Sequence, residues 1–351
     1  MRGARRFLAT GVVPSTQTRV VLRERATGTP TAAHFAVETD APVPECREGT
    51  CLVRNRFVGV EPAMKGWIST AQNYASVPTG ATMAAFGVGE VVASRLAGAP
   101  VGAVVAGRTG WQEFGVADPR EPLFRVVDDV PHGHAASVAL GVLGINGLTA
   151  YLGLDAARPA RGETVLVSTA AGAVGSAVGQ LARSAGCRAV GVAGGPAKAA
   201  LCVEAFGYDA CVDYRARAGA DLEAAIAAAC PRGVDVFYDM VGGAVLDAAL
   251  PALNAGARVM VVGTAGTASW DPPPLGPRVE RRVLVQRATL AGFLVFDHAA
   301  RFPDALADLG AMVASGALAY REDVRRGLAA APGALADLYA GANAGKVVIA
   351  V

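Results

Sequence analysis

A glycine-rich segment near the middle of the chain has the residue types and spacing of a phosphate-binding turn. The segment Val165–Gly179 reads VLVSTAAGAVGSAVG, a G-x-G-x-x-G frame with Ala170 at its first position. Glycines let a backbone approach a pyrophosphate closely, and the following helix offers free N–H groups at its N-terminus. The frame also occurs in tightly packed Gly/Ala helices, but here it lies between a predicted strand and a predicted helix. It therefore predicts a dinucleotide-binding site.

The end of the next predicted strand indicates which dinucleotide is bound. The strand Arg188–Val192 is followed by Ala193-Gly-Gly-Pro-Ala-Lys198, without the acidic residue that binds the ribose 2′-hydroxyl of NAD. Lys198 is near enough in sequence to reach a 2′-phosphate. A solvated lysine at the start of a helix is the alternative. We interpret the pattern as favouring NADP over NAD.

Other kinds of catalytic site lack their residue patterns. His132 and His134 are close together, but no cysteine or further histidine accompanies them, and His-Gly-His before a helix is more typical of a cap and turn. The sequence contains no Gly-x-Ser-x-Gly elbow, no Walker motif and no aromatic-basic stripe. We therefore expect no bound metal and no nucleic-acid partner.

Composition places the chain among folded proteins. Of its 351 residues, 52% are hydrophobic and 18% are charged, which excludes disorder as the dominant state. The net charge of +2 provides no field for binding nucleic acid or a membrane surface. The uncharged stretches 135–154 and 164–182 contain glycines and polar residues, so we expect buried elements rather than membrane spans. Six scattered cysteines favour reduced thiols in the cytoplasm.

The order of predicted elements divides the chain into two domains. Residues 1–134 carry short β-type runs between Gly and Pro, after a loose tail at 1–16. Between 135 and 317, a long apolar helix at 135–154 is followed by alternating strands and helices, and residues 318–351 end in a strand. The pattern predicts an α/β protein, in which 135–317 form a doubly wound parallel sheet and the remaining residues form a β-rich domain.

Short sequence blocks spread over residues 17–351 together resemble one enzyme family. Beside the turn at Ala170–Gly179, the blocks are EPAMKGW (61–67), GWQEF (110–114), GLTAYLGL (147–154), DMVGG (239–243), GFLV (292–295) and NAGK (343–346). The chain is similar to the zinc-independent medium-chain dehydrogenase/reductases. Within them it resembles the group of prostaglandin reductases, alkenal double-bond reductases and bacterial curcumin reductases.

The resemblance implies a fold and an activity. The implied fold is a GroES-like catalytic domain and a Rossmann dinucleotide-binding domain, with the ligand cleft between them. The implied activity is the NADPH-dependent reduction of a C=C bond conjugated to a carbonyl group, in an enone or enal, by hydride transfer to the β-carbon. Members of the family are usually homodimers, so a homodimer is expected here.

The resemblance also assigns cofactor-binding residues. The residues that match the phosphate turn and the pair around the 2′-phosphate are Gly172, Ala173, Val174, Gly175, Lys198 and Tyr214. Further residues assigned to the cofactor lie at the ends of later predicted strands, and these are Met240, Gly263, Thr264, Phe293, Leu294 and Val295. Asn343, just before the last predicted strand, is assigned to the cofactor as well.

The candidate catalytic residue follows from a departure from the family pattern. Many members carry a tyrosine where this chain has Ala63. Tyr74, slightly downstream, is therefore the candidate for donating a hydrogen bond to the enolate that develops during reduction. A surface-loop tyrosine without a catalytic role is the alternative.

The candidate substrate pocket is lined by large apolar side chains, namely Met64, Trp67, Trp111 and Trp270. Core packing is an equally good interpretation of Met64 and Trp67. Trp270 and Asp271 replace a Tyr-Asn pair of many relatives, and Met240 replaces an asparagine. These departures leave two alternatives open: a carbonyl or alcohol oxidoreductase on the same scaffold, and an NADPH-binding protein with a redox-neutral activity.

Treatment with a chelator tests the predicted absence of a metal site. Activity and melting temperature should both stay unchanged, because the sequence contains no zinc-ligand set. The check is an activity assay and a thermal melt before and after chelation. Stoichiometric zinc in a carefully purified sample, measured by elemental analysis, would contradict the prediction.

Overall fold

The computed structural model describes residues 13–70, 75–128, 130–270 and 272–351, and these residues form two compact units. The first unit contains the described residues up to Gly144 together with Glu322–Val351. The second unit contains Ile145–Arg321.

The strands and helices are numbered along the chain. The strands are β1 (Thr16–Leu22), β2 (Phe35–Pro42), β3 (Cys51–Gly59), β4 (Gly87–Ser94), β5 (Val104–Gly107), β6 (Phe114–Ala117), β7 (Arg125–Val126), β8 (Thr164–Ser168), β9 (Arg188–Ala193), β10 (Ala210–Asp213), β11 (Val234–Asp239), β12 (Leu253–Val261), β13 (Thr289–Gly292), β14 (Glu322–Arg326) and β15 (Lys346–Ala350). The α-helices are α1 (Met64–Ile68), α2 (Ile145–Ala157), α3 (Ala173–Ser184), α4 (Pro196–Glu204), α5 (Ala220–Ala229), α6 (Gly243–Ala249), α7 (Glu280–Gln286), α8 (Phe302–Ala314) and α9 (Ala331–Ala340).

The second unit is built on a parallel sheet with the strand order β10-β9-β8-β11-β12-β13. Its central strand β8 is fully buried, as expected for an apolar run such as Val165-Leu-Val167 in a sheet covered on both faces. The strand order reverses direction between β8 and β11. In sheets of this kind, ligands bind outside the carboxyl ends of the strands at the point of reversal. This arrangement confirms the predicted doubly wound sheet.

The first unit contains an antiparallel-rich sheet with the order β14-β15-β3-β4-β5-β7, and β6 also pairs with β3. Only β14 and β15 run parallel in it. Its core contains Val53, Val91 and Val105, which are fully buried. The C-terminal strand β15 pairs with β3, so the end of the chain completes a sheet that begins near residue 51. The β-rich part of the predicted fold is thereby confirmed.

The single helix expected at 135–154 is wrong. The chain forms a short 3₁₀ turn at Ala136–Leu140 and starts α2 only at Ile145, where the second unit also begins. Gly141 and Gly144 separate the two pieces, and a Cβ on Gly144 would overlap the backbone of Ala139. The unit boundaries at 144/145 and 321/322 consequently lie later in the chain than the pattern change at 134/135 and 317/318.

None of the helices within the described ranges has the length and apolar character that a membrane crossing needs.

Helix α3 lies close to its neighbours because Gly179 carries no side chain. Tyr208 is 2% exposed, and its hydroxyl donates a 2.6 Å hydrogen bond to the carbonyl oxygen of Gly175 in the first turn of α3. A Cβ on Gly179 would overlap the Tyr208 ring. The tyrosine therefore holds the start of α3 in place only when position 179 is glycine.

The Gly179→Ala variant tests this packing. It should lower the stability of the second unit by about 1–3 kcal/mol, because the added methyl group displaces a buried ring. Gly310→Ala in α8 is the matched control, since its Cβ would meet no atom within 4 Å. The control should be neutral or stabilising by up to about 1 kcal/mol, as alanine favours helix. Calorimetric melting measures both, and equal melting temperatures for the two variants would refute the packing argument.

Candidate functional site

The glycine-rich turn lies at the carboxyl end of β8 and leads into α3. Thr169 adopts a positive φ of 53°, and its carbonyl oxygen accepts a 2.8 Å hydrogen bond from the N–H of Gly172. A Cβ on Gly175 would overlap that carbonyl oxygen, so the turn requires glycine there. The first N–H groups of α3, from Ala173 and Val174 onward, have no partner within the helix and point out of its N-terminus. The turn can therefore bind an anion.

Asp239 fixes the edge of the sheet beside this turn. It is fully buried at the end of β11, and one carboxylate oxygen accepts a 2.9 Å hydrogen bond from the hydroxyl of Ser168 at the end of β8. The backbone N–H groups of Val241 and Gly242 also donate to the carboxylate, at 3.0 and 3.1 Å. The Asp239 carbonyl oxygen accepts a 2.7 Å hydrogen bond from Val262, just after β12. One residue thus joins the carboxyl ends of three strands at the reversal of strand order.

The environment of this carboxylate acts on its ionisation in two directions. Burial raises the pKa of Asp239, while the hydrogen bonds from Val241, Gly242 and Ser168 lower it, and the raising effect is larger. The hydrogen bonds therefore offset only part of the cost of burying the charge. Because the pKa is raised in the folded state, the free energy of unfolding of the protein increases as the pH falls through that pKa.

Positive charge gathers where β9 ends. Gly194 follows β9, and a Cβ on it would lie 3.1 Å from the Tyr214 ring and 3.1 Å from Nε of Arg215. Lys198 lies in the first turn of α4. Its pKa is lowered, first by burial and then by repulsion from Arg215, which indicates that the two cations are close together. The carboxylate of Asp213, at the end of β10, accepts hydrogen bonds from the backbone N–H groups of Gly195 and Arg215.

Arg215 was not among the residues predicted from the sequence. It directly follows Tyr214, which was predicted, and its position beside Lys198 depends on the pairing of β9 with β10. The arginine next to a candidate phosphate-binding tyrosine was the available signal.

Other predicted residues follow the next three strands at the same edge. Met240 follows β11 and Gly263 follows β12, and a Cβ on Gly263 would lie 3.1 Å from the Met240 carbonyl oxygen. Phe293 follows β13, donates a 3.0 Å backbone hydrogen bond to Val261 and stacks on the ring of His298 at 5.0 Å. Thr264, Leu294 and Val295 continue these segments. Most of the residues predicted to bind the cofactor therefore lie in the second unit. Trp270, which was predicted for the substrate pocket, is 53% exposed on the loop after β12.

Two of the tryptophans predicted for the substrate pocket are buried in the first unit. Trp111 is fully buried, donates a 3.0 Å hydrogen bond to the carbonyl oxygen of Gly59 and packs against Phe35. These contacts favour a packing role for it. Met64 and Trp67 lie in α1 and are 0% and 4% exposed.

The predicted catalytic residue Tyr74 lies outside the described residues. Both sides of its segment are held by the guanidinium of Arg25. That group donates hydrogen bonds of 2.9 Å to the Ser69 carbonyl oxygen, 2.9 Å to the Ser76 hydroxyl and 3.1 Å to the Val77 carbonyl oxygen. The ends of the segment are therefore fixed relative to one another.

A buried ion pair in the first unit was missed by the sequence analysis. The Lys346 ammonium contacts the Glu61 carboxylate and donates a 3.1 Å hydrogen bond to the Val60 carbonyl oxygen, and both side chains are at most 6% exposed. The pair joins the start of the EPAMKGW block to the end of the NAGK block, whose Asn343 donates a 2.9 Å hydrogen bond to the Gly345 carbonyl oxygen. The signal for this pair was a glutamate at the start of one block and a lysine at the end of the other.

No group of three or more His, Cys, Asp or Glu side chains suited to a metal ion occurs in the described part of the chain. Together, the parallel sheet, the glycine-rich turn and the cations after β9 and β10 define a nucleotide-binding α/β protein whose first unit is β-rich.

Comparisons with known proteins agree with this class. Residues 18–126 match the family described as the N-terminal domain of oxidoreductase, and residues 173–311 match the family described as zinc-binding dehydrogenase. The chain is 37% identical over 340 residues to the NADPH-dependent curcumin reductase of Escherichia coli (strain K12), which covers 95% of this chain and 96% of that protein. It is 33% identical over 330 residues to prostaglandin reductase 1 of Sus scrofa, covering 93% and 97% of the two chains.

A solved structure is similar over most of the chain. CurA from Vibrio vulnificus, in complex with NADPH, superposes with a TM-score of 0.86 and 35% sequence identity, over 95% of this chain and 99% of that one. The chain therefore belongs to the medium-chain dehydrogenase/reductase family, in the group that includes prostaglandin reductase and curcumin reductase. This confirms the resemblance of its sequence blocks, while the expected absence of zinc stays a prediction.

The Asp239→Asn variant tests the role of the buried carboxylate. It should lower the melting temperature, because an amide nitrogen then faces N–H donors and charge-assisted hydrogen bonds worth about 1.5–3 kcal/mol are lost. Asp247→Asn on α6, where the carboxylate is only partly buried, is the control and should melt close to the unsubstituted protein. A melting temperature of Asp239→Asn equal to that of the control would contradict the role.

Proposed function

We propose that this protein is an NADPH-dependent reductase of C=C bonds conjugated to a carbonyl group. The observation that carries the proposal is the turn Gly172–Gly175 beside the cluster of Lys198, Tyr214 and Arg215. The names of the relatives support it, since one is an NADPH-dependent curcumin reductase and another a prostaglandin reductase. The chain is thus an NADP-dependent oxidoreductase, and the reduced bond is the finer part of the proposal.

The residues present fit the phosphates of NADPH. Glycine at position 175 keeps the turn tight, because a Cβ there would overlap the Thr169 carbonyl oxygen. The N–H groups of Ala173 and Val174, at the start of α3, would donate to a pyrophosphate. Lys198 and Tyr214 would bind the 2′-phosphate, and Arg215, which lies beside them, would be an additional cation. The remaining predicted residues of the second unit follow its strands at the same edge of the sheet.

Bound NADPH supplies the hydride from its nicotinamide. The reduction would take this hydride at the β-carbon of the substrate and a proton from water at the α-carbon, with negative charge developing on the carbonyl oxygen in between. A hydrogen-bond donor at the carbonyl oxygen stabilises the developing charge. We assign this donor to the Tyr74 hydroxyl. Its place in the sequence, slightly downstream of Ala63, supports the assignment.

Two features support a homodimer in the cytoplasm. Strand β13 lies at the end of the parallel sheet, and the adjacent helix α7 exposes Leu284 and Val285, at 77% and 50%. An open sheet edge beside exposed apolar side chains is suited to pairing with a second copy. All six cysteines are free thiols, which fits a reducing compartment.

The Lys198→Ala variant tests the choice of cofactor. A charge-assisted contact to a phosphate is worth about 1.5–3 kcal/mol, so NADPH should bind the unsubstituted protein about 10- to 100-fold better than NADH. The variant should lose most of this difference, while Arg282→Ala on the exposed face of α7 should keep it. Fluorescence titration gives the dissociation constants. Equal affinities for both cofactors before substitution would refute the assignment.

A panel of enones, enals and saturated carbonyl compounds tests the reaction and Tyr74. The unsaturated compounds should consume NADPH and yield saturated carbonyl products, while the saturated ones should not react. Tyr74→Phe should lower kcat by a factor equivalent to about 2–4 kcal/mol, the value of one donor to a developing oxyanion, with NADPH affinity unchanged. An unchanged kcat removes Tyr74 from the mechanism. If none of the compounds causes NADPH to be consumed, the result favours the redox-neutral alternative.

A further inference from the structure

An aspartate lies at the end of β10, beside the cations of the proposed cofactor site. Asp213 is the last residue of β10, and it pairs with Ala193, the last residue of β9. No acidic residue follows β9 at the position that binds the ribose of NAD. An acid at the end of the neighbouring strand either binds a ribose in its place or serves the protein, and the hydrogen bonds of Asp213 distinguish the two roles.

One oxygen atom of the Asp213 carboxylate connects two loops. Its Oδ1 accepts a 2.7 Å hydrogen bond from the N–H of Gly195, in the loop after β9. The same atom accepts a 3.0 Å hydrogen bond from the N–H of Arg215, in the loop after β10. The N–H of Tyr214 donates a further 3.1 Å hydrogen bond to the Ala193 carbonyl oxygen. The two loops are therefore fixed relative to one another.

Each of these loops carries one side of the proposed 2′-phosphate site. Gly195 directly precedes α4, and Lys198 follows in the first turn of that helix. Arg215 directly follows Tyr214 in the sequence. The two hydrogen bonds to a single carboxylate oxygen therefore set the spacing between the lysine and the tyrosine–arginine pair.

The loop after β9 needs such a contact because two glycines form it. Gly195 has a positive φ of 95°, and a Cβ on Gly194 would lie 3.1 Å from the Tyr214 ring. Glycine has more conformational freedom to lose on ordering than any other residue, so a Gly-Gly loop keeps one position only where other groups hold it. The Asp213 carboxylate is a group that holds it.

We propose that Asp213 is a positioning residue that sets the preference for NADPH, because its carboxylate holds Lys198 and the Tyr214–Arg215 pair in the arrangement that receives a 2′-phosphate. This inference rests on the proposed function and adds to it a residue that acts through its neighbours. A binding site is precise only when the groups that support it are themselves fixed by hydrogen bonds. An acid that selected NAD would instead bind the ribose, and its removal would have the opposite effect on the choice of cofactor.

Three substitutions of Asp213 separate the position of the oxygen from its charge. The measured quantity is the dissociation constant of NADH divided by that of NADPH, obtained by fluorescence titration. Asp213→Ala removes the acceptor and should lower this ratio about 2- to 10-fold, the range of one hydrogen bond. Asp213→Asn keeps an acceptor oxygen and removes a negative charge, so the ratio should stay at or above the unsubstituted value. Asp213→Glu keeps the charge but displaces the oxygen by one methylene group, so the ratio should fall.

Asp209→Ala is the matched control at the other end of the same strand. Asp209 directly precedes β10, and its carboxylate accepts a 2.9 Å hydrogen bond from the N–H of Ala189 and pairs with Arg183. Its removal should lower the melting temperature and leave the ratio of the two dissociation constants unchanged. A purely structural role of Asp213 would give the same result as the control.

The outcomes for Asp213→Ala decide the proposal. A ratio equal to that of Asp209→Ala would overturn it, as would an equal fall in Asp213→Ala and Asp213→Asn. A rise in the ratio would assign the carboxylate to a ribose hydroxyl and overturn it as well. If Asp213→Ala does not fold, a fall in Asp213→Glu with no fall in Asp213→Asn supports the proposal, and an unchanged ratio in Asp213→Glu overturns it.

The titrations involve no turnover, which separates this proposal from the proposed reaction. A preference for NADPH that Asp213→Ala weakens and Asp213→Asn keeps supports the positioning role, even when no enone is reduced and the proposed reaction fails. A preference that all the variants keep overturns the positioning role, even when enones are reduced.

Discussion

The carboxylate of Asp239 is removed from water at the carboxyl end of β11, where an isolated charge would be costly. The Ser168 hydroxyl and the backbone N–H groups of Val241 and Gly242 satisfy it, and the Asp239 carbonyl oxygen holds Val262. These donors come from β8, from the turn before α6 and from the end of β12. A shift of any one of these strand ends would expose or orphan several hydrogen bonds at once, so the edge of the sheet behaves as a rigid frame.

The proposed cofactor site depends on that frame. Ser168 is the residue directly before Thr169, whose positive φ begins the glycine-rich turn, so the buried carboxylate and the anion-binding helix end are coupled through one strand. The first unit also compensates its buried charges. Lys346 and Glu61 form a buried ion pair, and Glu61 lies three residues before the start of α1.

Much of the second unit could be predicted because its signals are local. The apolar β-branched runs and the spacing of Gly172 and Gly175 depend on neighbouring residues only. The break of the helix at Gly144 was not predictable, because it depends on how the chain packs around Ala139. Long-range pairs were also out of reach, as with Lys346 and Glu61, which are separated by most of the chain. Among the site residues, the turn and Lys198 follow from the sequence pattern, whereas the position of Arg215 beside Lys198 appears only in three dimensions.

The proposed function requires that hydride reaches the β-carbon of a conjugated carbonyl compound. NADPH deuterated at the transferable position of the nicotinamide measures this directly, with the product of an enone analysed by NMR and mass spectrometry. We expect one deuterium on the β-carbon of a saturated ketone whose carbonyl group is intact. Deuterium on the carbonyl carbon of an unsaturated alcohol would contradict it and assign the protein to the carbonyl oxidoreductases instead.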